Sequence, residues 1–157
     1  MKQEQRASAS ATQKQRLDAP QITEFLNEVF PGAMEAFAIE AVGPMTATVR
    51  MFFRDYRLRP GGTISGPSLM TLADTATWVA LLAMIGREPL SVTSHLDIDF
   101  LRKPAPADVL GHATLHKVGK RLAVGDVLMY SDGETQACAR SSVTYAIPTH
   151  RLDPPVD

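Results

Sequence analysis

Residues 59–80 read RPGGTISGPSLMTLADTATWVA, and this stretch decides the fold. Pro60-Gly61-Gly62 marks a loop. Pro67 suits the first helical position because it has no N–H to satisfy there. That places the N-cap on Gly66, with Ser65 beside it. The helix is expected to run to about Ile85 and to stop at Gly86. Leu69, Met70, Leu72, Ala73, Ala76, Val79, Ala80, Leu82 and Ala83 cover most of its circumference, and a helix apolar nearly all round is a buried one. A bilayer span needs ~20 mostly apolar residues. Here Ser65, Ser68, Thr71, Asp74, Thr75 and Thr77 interrupt the run, so a core helix is expected instead of a membrane segment.

Outward from this helix, residues 20–30 (PQITEFLNEVF) have Ile22, Phe25, Leu26 and Val29 on one helical face. Pro31-Gly32 ends that element. Phe37, Ile39 and Ala41 alternate as in a strand, Gly43-Pro44 turns, and 46–53 (TATVRMFF) is rich in β-formers. After the long helix, Val92, Leu96, Ile98 and Phe100 alternate with Thr93, His95, Asp97 and Asp99. Further strands are expected over 107–118, 121–131 and 135–147. Gly119-Lys120 and Asp132-Gly133 are placed to turn them as hairpins. Hairpin strands are antiparallel, and one buried helix needs a sheet curved around it. The expected class is α+β, a curved antiparallel sheet wrapped around one long central helix.

The chain has 157 residues, enough for one domain with a real core. Hydrophobic residues make up 45% and charged residues 21%, which excludes a wholly disordered chain. The net charge of −1 gives no electrostatic case for nucleic acid as a partner. Cys138 is the only cysteine, so no intramolecular disulfide forms, as suits a reducing cytoplasm. Residues 1–18 read as a polar, disordered tail without a secretory apolar region. The domain is expected over 19–147, with a loose proline-rich end over 148–157.

Asp74 is the lone charge between Arg59 and Arg87. An unpaired buried carboxylate costs several kcal/mol, so such groups are paired, protonated or functional. Ser65-Gly66-Pro67 lies where a helix offers free N–H groups and a positive dipole end, able to polarise a carbonyl oxygen. The remaining polar residues point to blander roles. His112 and His116 share a strand face without a third ligand at metal-site spacing, so no metal is expected. Cys138 has no nearby base in sequence and reads as a buried structural thiol.

The 59–80 stretch resembles the signature of hotdog-fold acyl-CoA thioesterases of the phenylacetic-acid-degradation (PaaI-like) type, in the 4-hydroxybenzoyl-CoA thioesterase superfamily. Their motif is roughly N-x-x-G-x-x-H-G-G followed by a helix carrying Asp or Glu. The carboxylate stands eight residues after the first glycine of His-Gly-Gly, the spacing of Gly66 and Asp74 here. Gly62 matches the earlier glycine. HLDIDFLRKPAPAD (95–108) is similar to the family stretch ending in Phe-Leu-Arg-Pro-Ala, and KVGKRLAV (117–124) to its coenzyme-A-contacting turn. The likeness covers about residues 35–147. This chain departs from the pattern at Ser65 for the His, Pro67 for the second glycine and Arg59 for the Asn.

The resemblance implies hydrolysis of a small or medium acyl-CoA. The Gly66 N–H would hold the oxyanion, Asp74 would act as general base or nucleophile, and Thr93 would position the water. It implies no cofactor beyond the coenzyme A of the substrate. Thr77 and Trp78, one turn past Asp74, are candidates for the acyl pocket. Arg59, Ser65, Pro67, Arg102, Lys103, Lys120 and Arg121 are candidates for substrate or coenzyme A binding. A helix rises ~1.5 Å per residue, so Asp74 lies roughly 10 Å along the axis from the helix start. One chain's Gly66 and Asp74 should therefore not reach the same carbon, and a homodimer, or a dimer of dimers, is expected to join them. The departures leave a non-catalytic acyl-CoA-binding or regulatory protein as the alternative.

Overall fold

The computed structural model describes residues 13–153. Of the expected tails, residues 1–12 and 154–157 lie outside the described residues. The elements are α1 (Ala19–Val29), β1 (Phe37–Gly43), β2 (Thr46–Met51), β3 (Leu58–Arg59), β4 (Thr63–Ile64), α2 (Gly66–Ile85), β5 (Val92–Phe100), β6 (Val109–Val118), β7 (Leu122–Ser131) and β8 (Ala139–Ala146). Short 3-10 turns stand at 33–35 and 55–57.

The six long strands form one antiparallel sheet in the order β1-β2-β6-β7-β8-β5. This is the hotdog arrangement, with the sheet curved around α2. Leu72, Ala73, Ala76, Val79, Ala80, Leu81, Leu82 and Ala83 are completely buried on that helix. By length and composition α2 would cross a membrane, but most of its side chains are covered by the protein itself. Gly111 on β6 permits the close approach. A Cβ there would stand 3.1 Å from Leu72 Cγ and 3.5 Å from Ala76 Cβ.

Three features differ from the sequence expectation. Ser65, not Gly66, is the N-cap of α2, and Gly66 is its first residue. The Ser65 hydroxyl accepts the Ser68 N–H, a job glycine has no side chain to perform. The loop around Pro60-Gly61-Gly62 folds back on itself as the two-stranded β3–β4 pair. Strand β5 does not pair with its sequence neighbour β6. It lies at the sheet edge against β8, and only Leu96 and Ile98 are half-buried. Its alternating sequence therefore does not bury a full face, because an edge strand has cover from one side only.

Both ends of the described chain meet the C-terminal end of α2. The Arg16 N–H donates to the Ala83 carbonyl at 2.7 Å, and the Arg16 guanidinium to that of Ile85 at 2.8 Å. A cation there complements the helix dipole. Asp153 accepts the Arg87 N–H at 2.7 Å.

Candidate active site

Asp74 stands in the middle of α2 on the side facing β5 and β8. Its Oδ1 receives two hydroxyl hydrogen bonds. One comes from Thr93 on β5. The other comes from Tyr145 on β8 at 2.7 Å, whose hydroxyl also lies 3.2 Å from the Asp74 main-chain oxygen. Thr93 and Tyr145 are register partners in the β5–β8 ladder. The carboxylate is half-buried, Thr93 is exposed along the open edge, and no donor among the described residues is bonded to Oδ2. Burial first, and then the Asp74 carboxylate, push the Tyr145 phenol well above the usual tyrosine range.

The second candidate region is the start of α2. The Ser65 N–H donates to the Arg57 carbonyl at 2.8 Å, which pins the chain entering the helix. Arg57 itself is buried, with its guanidinium over the rings of Phe37 and Tyr56. Ser65 caps Ser68, and the Leu69 N–H donates to the Ser65 carbonyl at 3.3 Å. Pro67 has no N–H to offer. Among the described residues the Gly66 N–H thus remains without an acceptor at the positive end of the helix, since no intrahelical one is available to it. Phe100 covers Gly66 so closely that a Cβ there would stand 2.9 Å from its ring carbon Cζ.

A groove of about 370 Å³ opens beside this amide, lined by Arg59, Ile64, Gly66, Leu69, Phe100 and the 101–104 segment. It has an apolar floor and three cations, Arg59, Arg102 and Lys103, around it. Lys120 and Arg121 are not with them. They sit in the β6–β7 turn, where the Arg121 carbonyl accepts the Ile147 N–H at the β5 end that begins with Val92. Thr77 is buried and donates to the Ala73 carbonyl at 2.9 Å, so it packs in the core. Trp78 is half-buried, and its indole Nε1 is buried without a partner among the described residues. Cys138 is a buried free thiol, raised by burial above the usual range.

The two regions do not meet in one chain. Gly66 and Asp74 are eight residues apart on α2, ~12 Å along its axis. On β5 the residues touching them, Phe100 and Thr93, are seven apart, ~23 Å along the strand. Sequence reasoning missed Tyr145. Its one local signal is a polar tip on an inward-facing β8 position, where a buried phenol needs a partner.

Comparison with known proteins agrees with this architecture. Residues 61–138 match the thioesterase superfamily. A Silicibacter protein assigned as a thioesterase is 41% identical, with a TM-score of 0.81 over 88% of this chain and 96% of that one. A variant of the phenylacetic acid degradation protein PaaI from Thermus thermophilus is 27% identical, with a TM-score of 0.63 over 73% of this chain and 97% of that one. A Thermoplasma acidophilum protein assigned as an esterase is 22% identical over 71% of this chain and 83% of that protein. The chain is therefore a hotdog-fold member of the thioesterase superfamily, of the PaaI-like type.

Proposed function

We propose that the protein hydrolyses an acyl-CoA thioester at a site shared by two copies of the chain. Membership of the thioesterase superfamily supports thioester hydrolysis. The carrying observation is the free Gly66 amide beside a cation-rimmed groove, with a hydroxyl-held carboxylate on the same helix. The amide donates to the thioester oxygen as it becomes an oxyanion. Asp74 Oδ2 removes a proton from water, the hydroxide oxygen bonds to the carbonyl carbon, and the tetrahedral intermediate expels the coenzyme A thiolate. In the covalent form of the reaction, Oδ2 bonds to that carbon itself, thiolate leaves, and water hydrolyses the anhydride.

The exposed β5 edge supports the shared site, because two-fold pairing of two such edges would complete it. Antiparallel strands centred near Leu96 and Asp97 bring the Thr93 end of one chain beside the Phe100 end of its mate. That joins one helix start to the other chain's Asp74. The same pairing brings Lys120 and Arg121 of the second chain toward the first chain's Arg59, Arg102 and Lys103. Leu90, Val92, Phe100 and Leu101 are exposed apolar residues along this seam, and edge pairing would cover them. The cations would meet the nucleotide phosphates of coenzyme A. A cytoplasmic homodimer, or a dimer of two such dimers, goes with this reading.

A thiol-release assay over aliphatic and aromatic acyl-CoAs tests the proposal. Turnover that disappears in Asp74→Asn is the expected result. Tight binding without turnover would instead favour a non-catalytic acyl-CoA-binding protein, a role suggested by a Ser65 hydroxyl spent on capping and bonded at 3.0 Å to that of Ser68.

A further inference from the structure

We propose that Tyr145 is a positioning residue for hydrolysis, holding Asp74 Oδ1 together with Thr93 so that Oδ2 is the oxygen presented to the reaction. This rests on the thioesterase reading above. An aspartate carboxylate rotates in a broad, two-fold torsion, and its oxygens interchange freely unless something distinguishes them. Here something does. Both hydroxyl donors converge on Oδ1, from opposite members of one strand pair. Rotation about the last bond would break both hydrogen bonds at once.

Tyr145 supplies what Thr93 cannot. Thr93 stands on the exposed edge strand. Tyr145 is buried on β8, with strands on both sides, and its rigid ring fixes the phenol oxygen relative to α2. The environment also holds that phenol in its neutral, donating form, since both burial and the neighbouring carboxylate oppose its ionisation. A carboxylate held in one orientation has less freedom to lose on reaching the transition state. Losing the donor should therefore affect turnover more than substrate binding.

The test compares Tyr145→Phe, Thr93→Val and Thr93→Ser in the thiol-release assay. Tyr145→Phe keeps the ring and removes one donor. Its kcat is expected to fall about 10- to 100-fold, the scale of a hydrogen bond to a charged group, with KM within about twofold. Thr93→Val falls likewise, and Thr93→Ser, which keeps the hydroxyl, recovers most of the loss. Tyr130→Phe, altered on a ring that packs against His112, serves as the control with unchanged kcat. A Tyr145→Phe kcat within twofold of wild type overturns the proposal. So does a loss in which kcat and KM worsen together with a lowered melting temperature, which marks a purely structural role.

A second readout needs no turnover. Carbon-13 NMR of ring-labelled tyrosine compares the Cζ signal of the neutral Tyr145 phenol at pH 8 in wild type and in Asp74→Asn, with Tyr145→Phe used only to assign it. The Tyr145 signal should shift between the two proteins as the charged acceptor of its hydroxyl is replaced by a neutral one, and identical shifts would refute the contact. If wild type releases no thiol from any acyl-CoA, the thioesterase reading fails, and this signal alone decides whether Tyr145 holds Asp74.

Discussion

Thr93 and Tyr145 face each other across the β5–β8 ladder and give both their hydroxyls to one oxygen of Asp74. A mid-helix acid is thereby tied to the edge of the sheet. That edge strand, β5, is nine residues long and largely exposed. In the proposed dimer, the chemistry and the assembly would depend on the same strand.

Subunit complementation follows from the separation of Gly66 and Asp74. Asp74→Asn and Gly66→Val should each be inactive alone. Mixed and reassembled in equal amounts, half the dimers are hybrids, and each hybrid has one intact site of two. About a quarter of wild-type activity should return by this count. Activity that stays at the level of the separate variants would show that each site is built within a single chain.

Gly66→Ala tests the approach of Phe100. Gly66 does not use a left-handed backbone, so alanine is allowed conformationally. Its Cβ, however, would stand 2.9 Å from the Phe100 ring and must displace it into the groove. The expected loss in kcat/KM is about tenfold, with a melting temperature equal to or above wild type because alanine favours helix. Phe100→Leu in the same chain should recover part of the activity, as the smaller side chain makes room.

The cations of the groove should act on binding. Arg59→Ala and Lys103→Ala are expected to raise KM for acyl-CoA about 3- to 10-fold and leave kcat within twofold. The effect should shrink at high salt, where exposed charges are screened. Acyl-pantetheine, which lacks the nucleotide phosphates, should show no such dependence. Arg102 is a poorer probe, because its guanidinium also donates to the Ala137 carbonyl at 2.8 Å, so removing it disturbs the segment.

Stability at alkaline pH should report on Tyr145. Its folded ionisation lies above the ordinary value of 10.0, raised first by burial and then by Asp74. Below that value both folded and unfolded chains keep the phenol protonated, and the contribution is complete. Above it the unfolded tyrosine loses its proton while the folded one retains it, so stability falls as pH rises. Buried Cys138 acts in the same direction from its ordinary value of 9.0. Thermal melts from pH 8 to 11 should show this decline, with a shallower slope in Tyr145→Phe. An unchanged slope would mean that Tyr145 ionises as freely in the fold as outside it.

The long core helix was legible because its signals are local. A proline at the start, a terminal glycine and an apolar run all act within a few residues. The error at its start, one residue, arose because Ser65 and Gly66 both suit a cap, and only the Ser65–Ser68 contact distinguishes them. Asp74 stood out for the same local reason, as a lone charge in an apolar stretch. Strand periodicity likewise marked β6, β7 and β8, and the hairpin turns between them set their antiparallel sense.

Three things depended on contacts between residues far apart in the chain. Closing the sheet moved β5 away from β6 to the open edge beside β8, which left its alternating residues uncovered. That closure brought Tyr145 to Asp74 across 71 positions of chain. It also divided the five candidate cations between opposite ends of β5. Periodicity tells which way a side chain points within its own element. Which elements become neighbours is settled by how the whole set buries one helix, and that balance is a property of the folded chain.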